Sequence, residues 1–219
     1  MKRQMKRQLA TLILAVPPLL FGSVSAAPPI EGIWNPAPVE GGPHPPPEQV
    51  SLTPAGRARY EGFSEEVDPT IRCILPGVPL GVYDPYPLEI IQQEHQIVFL
   101  YEHFHMVRRI FMDGREPPAD WWPSLVGFSV GNWEGDTLVV RTTHMSPDNL
   151  MWHNGMPFSG DEDSYMIERY EFEGDGMSMT VEVFDPTYYE EPYVIRGNRR
   201  LDPDGMIFEY ECVSEFSAF

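Results

Sequence analysis

From Pro87 onward the chain alternates apolar and polar residues in short runs divided by turn residues, the pattern of strands with one face buried. The runs predict strands at about 87–92, 97–104, 106–112, 126–134, 137–144, 164–172, 177–184, 193–200 and 206–212, and 97–112 also reads as one long bent strand. The breaks "WEGDT", "FEGDGM" and "LDPDGM" are hairpin chemistry, because glycine and aspartate tolerate the positive φ of tight turns. No dozen-residue helical pattern lies between the runs, so no parallel crossover is expected.

An antiparallel meander of eight or nine strands most simply loses its exposed edges by closing on itself. The predicted fold is therefore all-β, a single lipocalin-like (calycin-like) barrel whose interior is packed solid or holds one small ligand. A two-sheet β-sandwich is the alternative. Ahead of the strands, residues 27–50 hold eight prolines and predict an extended arm with little regular structure. Ile30, Ile33 and Trp34 are apolar enough for that arm to lie against the domain. "SLTPAGRARYEGF" predicts one short helix, with Thr53 as N-cap and Pro54 at its first position. The stretch from His144 to Asp163 exceeds an ordinary hairpin connection, and loops of that length are often lids or binding loops.

The first 26 residues change the picture of where the chain works. Lys2, Arg3, Lys6 and Arg7 precede an apolar run from Leu9 to Phe21, and Val24 and Ala26 supply small residues for cleavage. This predicts a secretory signal peptide over 1–26, an arm over 27–50 and one β-domain over 51–219, in a periplasmic or secreted protein with no membrane anchor. The leader takes four of the 15 basic residues and none of the 33 acidic ones, leaving 11, all arginine, and a net charge of −22. So negative a surface repels phosphate backbones and anionic head groups, and nucleic acid is not expected as a partner. Only Cys73 and Cys212 remain, and an oxidising compartment favours joining them, which stabilises a loop of this length by at most about 5 kcal/mol.

The blocks "LTPAGRARY", "RCILPGVP", "YPLEIIQQ", "YEHFHMVRRIFMDGR", "SVGNWEGDTLVV" and "FEYEC" occur in that order. Together they resemble a widespread group of exported bacterial β-domain proteins over about 50–212. The resemblance implies a mostly antiparallel β-domain and no particular reaction. In relatives a histidine often follows the proline of the long loop, whereas this chain has Phe158.

The densest chemistry lies in "YEHFHMVRR" at 101–109. Side chains two apart share a strand face, so an unbroken strand puts Phe99, Tyr101, His103, His105, Val107 and Arg109 on one side. As a metal site, His103 and His105 would need His144, His153 or Glu168. Their HxH spacing opens a cupin-type motif that continues with a glutamate, but Arg109 and Ile110 stand there, and a guanidinium beside a divalent ion is unfavourable. No metal and no cofactor are expected. An acid/base site needs no metal: His105 with Tyr101 and Glu168 moves protons, and Arg109 stabilises a developing oxyanion. Serine or cysteine elbows, phosphate loops, CxxC and HExxH are absent. Two readings follow. The first is a barrel binding a small, largely apolar or aromatic molecule in its lumen, with His103, Phe99, Trp133, Trp152 and His153 against the ligand. The second is a cofactor-independent lyase, isomerase or cyclase using His105, Tyr101, Arg109 and Glu168 in the same cavity. Oligomeric state is left open by the sequence.

Overall fold

The computed structural model describes residues 28–213, and the leader read over 1–26 lies outside them. Its strands are β1 (Gly32–Ala37), β2 (Leu88–Gln92), β3 (Gln96–Tyr101), β4 (Val107–Phe111), β5 (Phe128–Glu134), β6 (Thr137–Thr143), β7 (Leu150–Trp152), β8 (Met156–Pro157), β9 (Tyr165–Glu173), β10 (Gly176–Phe184) and β11 (Tyr193–Asp202). Nine of them close a barrel in the order β1-β11-β10-β9-β6-β5-β4-β3-β2. The closed wall decides for the barrel over the sandwich, and β7 with β8 forms a separate hairpin inside the long loop.

Three elements depart from the expected meander. The pair β4–β5 is parallel, with Ile110 opposite Ser129 and Phe111 opposite Val130. The crossover that a parallel pair requires is made by residues 112–127 without a helix, so the helical pattern sought in the sequence was the wrong signal. The ninth wall strand comes from the proline-rich arm rather than from 206–212. β1 pairs with β11 over Ile33–Ala37 and with β2 only over Gly32–Trp34. Pro36 therefore sits past the end of β2, where one neighbour is missing and a proline is tolerated. Residues 206–212 carry no strand, because the place beside β11 that their alternation could have filled is taken by β1.

The short helix α1 (Pro54–Glu61) forms as expected, with the Thr53 hydroxyl accepting from Gly56 N at 3.1 Å. Gly56 is required by close approach, since a Cβ there would meet the Tyr188 carbonyl oxygen at 2.1 Å. Cys73 and Cys212 are joined, with Cα atoms 5.6 Å apart.

The third departure sets the interior. β3 stops at Tyr101, and residues 103–105 make a tight turn in which Phe104 and His105 adopt φ of 55° and 49°. When β4 resumes, the alternation has changed sides: Arg108 and Ile110 point inward, while Val107 and Arg109 are exposed. Arg108 is 1 % and Glu168 0 % exposed. They form a bidentate pair, with Arg108 Nη1 2.8 Å from Glu168 Oε1 and Nη2 on Oε2. Ser129 Oγ accepts from Nε at 3.0 Å, Thr142 Oγ1 from Nη2 at 2.6 Å, and Tyr170 donates to Glu168 Oε1 at 2.5 Å. Burial pulls the guanidinium pKa down, but the Glu168 carboxylate outweighs it and the net direction is up. Trp34, Phe99 and Tyr101 pack the rest of the lumen, each at most 2 % exposed. A second buried cation, Arg199 on β11, donates to the carbonyls of Trp34, Tyr86 and Asp84, tying three segments together at the closure.

Breaking one member of a buried pair strands the other charge, whereas replacing both with apolar groups removes the desolvation cost as well. Glu168→Gln is expected to lower unfolding free energy by about 3–5 kcal/mol in urea, and Arg108→Met combined with Glu168→Leu to recover most of that loss. A double variant as unstable as the single one would show that the pair does not act as a unit.

Candidate functional site

The turn that flips the alternation also builds a cavity at the barrel mouth. It displaces His103 sideways to the end of the 3-10 turn Leu80–Tyr83, where Asp84 waits. His103 Nδ1 is 2.5 Å from Asp84 Oδ2, both groups being buried. An ionised carboxylate only accepts, so Nδ1–H donates and Nε2 is left free. Tyr86 stacks on the His103 ring at 4.5 Å between centroids, and Phe104 meets it edge-on at 4.5 Å.

The long loop supplies the facing wall. The β7–β8 turn carries His153, whose Nδ1 lies 2.7 Å from Asp68 Oδ2. Asp68 caps the 3-10 turn Pro69–Arg72 and also accepts from Thr70 N and Thr70 Oγ1. Trp152, the preceding residue, stacks on His44 of the arm at 3.9 Å. Two histidines, each backed by an aspartate, thus border one open cavity of about 330 Å³ with Tyr86, Phe104, Trp152 and Tyr210.

Tyr210 arrives on the chain's last described stretch, which crosses this end of the barrel as a strap. Phe208 N donates to Glu102 Oε2 and Tyr210 N to His105 Nε2, both at 2.9 Å. The Tyr210 ring stands edge-on to His103 at 4.9 Å and to Tyr86 at 5.6 Å. The Cys73–Cys212 bond holds the strap two residues further on.

The electrostatics separate the histidines. The hydrogen bond to Asp68 raises the His153 pKa above 6.5 against the opposing effect of burial, and the charges of Asp68 and Asp84 add to the rise. Burial works to raise the Asp68 pKa, but the hydrogen bonds from His153 and Thr70 win and hold it below 3.8. His44 is pushed down to about 4 by burial and by repulsion from His153.

Of the four residues expected to form an acid/base site, the structure brings only two together. Tyr101 and Glu168 are in the lumen, where burial raises the Tyr101 pKa. His105 and Arg109 are exposed on the outside, because the two left-handed residues reverse the face after Tyr101; Arg108 occupies the inward place that Arg109 was expected to take. Among the expected ligand contacts, His103, Trp152 and His153 converge on the mouth cavity. Phe99 is fully buried in the lumen and Trp133 packs near Phe172, so neither borders this cavity. Asp68, Asp84, Tyr86 and Tyr210 were missed. The two aspartates did carry a signal, since each precedes a proline and Asp-Pro marks a turn. Among the described residues no group of three or more His, Cys, Asp or Glu side chains is placed to hold a metal ion.

Models of known protein families were compared with the chain and none matches it. Curated proteins give no match either.

A histidine whose folded pKa is raised contributes stability fully present below the unfolded value and lost as pH rises through the folded one. A carboxylate whose pKa is lowered contributes stability present above its unfolded value and lost as pH falls through the folded one. The His153–Asp68 ion pair is therefore complete from above the Asp68 pKa up to the raised His153 value. NMR titration of the imidazole resonances is expected to place His153 above 6.5 and His44 near 4, and Asp68→Asn to bring His153 down. A His153 midpoint unmoved by that substitution would remove Asp68 as the cause.

Proposed function

We propose that this is an exported protein that binds a small, largely apolar or aromatic molecule at the mouth of its barrel. The observation that carries the reading is the meeting of four aromatic rings and two His–Asp pairs on one cavity of about 330 Å³, within the size range and mixed character of small-molecule sites. The sequence reading put the ligand in the lumen. The mouth is the better site because Arg108, Glu168, Tyr101 and Tyr170 are packed in the lumen with almost no exposure. Tyr86 and Trp152 supply flat faces for an aromatic ring, and the free His103 Nε2 supplies one polar anchor. Export is supported by the Cys73–Cys212 bond, since such bonds persist in oxidising compartments.

A second reading is favoured by the pairing of each histidine with its own carboxylate. A cofactor-independent isomerase or lyase needs a base and an acid on one substrate. His103, oriented by Asp84, accepts a proton at Nε2 from a carbon next to a carbonyl, and protonated His153 donates one to the enolate oxygen or to the distal carbon.

Titration with 2-naphthol, followed by tryptophan fluorescence and calorimetry, separates the outcomes. Saturable binding is expected, weakened about tenfold in Tyr86→Ala, which corresponds to about 1.4 kcal/mol and is the scale of one aromatic contact. Binding untouched by Tyr86→Ala and Trp152→Ala would remove the mouth as the site. For the second reading, proton NMR in D2O is expected to show catalysed α-exchange of 2-tetralone, reduced at least about 100-fold by His103→Gln. Exchange no faster than in buffer would leave the protein a binder.

A further inference from the structure

A second cavity, of about 290 Å³, lies on the other side of the 68–74 segment from the mouth. Its walls come from α1, the 3-10 turns Glu65–Val67 and Pro69–Arg72, and the β7–β8 hairpin. Phe63, Val67, Ile74, Leu150 and Phe158 give it one apolar wall, and Arg59, Arg72, Asp148 and Asn149 border it with polar groups. Gly155, with φ of 89°, lets the hairpin close down on it, because a Cβ there would meet the Phe63 ring at 2.2 Å. The cavity is therefore shaped by close backbone approach as well as by side chains.

Its charges run against those of the molecule. Outside the leader the chain carries 33 acidic residues against 11 arginines, yet two of those arginines, Arg59 and Arg72, border this one cavity with a single acid, Asp148. Asp148 is engaged locally, accepting from Ser146 Oγ at 3.3 Å. Neither Arg59 nor Arg72 makes a side-chain hydrogen bond or ion pair among the described residues, whereas Arg115, Arg169 and Arg200 each pair with a nearby carboxylate. A guanidinium presents a fork of donors that matches a carboxylate. Two of them beside an apolar wall match a molecule with a carboxylate at one end and a hydrocarbon or aryl body at the other.

We infer that this recess is a second ligand site, selective for small apolar monocarboxylates, with Arg59 and Arg72 receiving the carboxylate and the Phe63, Ile74 and Phe158 wall receiving the body. The inference is independent of the mouth site, since the two cavities share no bordering residue.

The test compares 3-phenylpropionate with its uncharged analogue 3-phenylpropanol by calorimetry on the full chain at low salt. The acid is expected to bind at least about tenfold more tightly than the alcohol, a preference that shrinks at high salt as the charges are screened. Arg59→Gln with Arg72→Gln is expected to abolish the preference while leaving the thermal midpoint unchanged, both positions being exposed. Tyr86→Ala at the mouth is expected to leave 3-phenylpropionate affinity unchanged, so failure here is distinguishable from failure there. Equal affinity for acid and alcohol, a preference that survives the double substitution, or no saturable binding of the acid would each overturn the inference.

Discussion

The barrel is organised around one buried ion pair. Arg108 and Glu168 face each other in the lumen with almost no exposure, and the hydroxyls of Ser129, Thr142 and Tyr170 are turned to them. Such a pair adds little net stability over a well-packed apolar core, but one partner without the other is costly. The cost fixes register. Glu168 lies on β9 and Arg108 on β4, and a one-residue slip of either strand would carry a charge to the wrong face.

That constraint reaches the mouth. If Arg108 is to face inward while Tyr101 does so too, the chain between them must lose its alternation, and the left-handed pair Phe104–His105 is where it does. The same turn swings His103 onto Asp84 and leaves Glu102 and His105 outside, where they hold the backbone of the terminal strap. A sealed charge in the middle of the barrel and an open histidine site at its end are thus two results of one local reversal. The segment from Asp68 to Ile74 divides the open end into the mouth cavity and the arginine-bordered recess, and the Cys73–Cys212 bond anchors it to the strap.

Much of this was legible in the residues. Period-two alternation and Asp-Gly turns located the eight wall strands from β2 to β11, Thr53 and Pro54 located α1, and the two cysteines their bond. What misled was local. No glycine marks the reversal at 104–105, so the positive φ there, which tertiary contacts impose on Phe104 and His105, was invisible and put Arg109 where Arg108 belongs. β1 was hidden by the prolines in and around it, and the alternation of "MIFEYEC" suggested a strand because nothing local says that the neighbouring place is filled. The site was half-read: His103, Trp152 and His153 were chosen for their chemistry, while the aspartates that orient the histidines looked like turn residues. Phe158 lines the recess rather than the mouth.

The position of β1 bears on how the molecule reaches this state. The hairpins from β2 to β4 and from β9 to β11 join neighbours in sequence, but β1 is held to β11 across nearly the whole chain, Asn35 donating to Asp202 at a separation of 167 residues. Contacts that distant demand a large loop-closure entropy before they return anything, and they slow folding. Until β1 docks, the free sides of β2 and β11 remain two unpaired sheet edges, the kind of surface through which partly folded chains add to one another. The proline-rich segment that looked like a loose arm is thus the piece whose arrival ends the exposure of those edges.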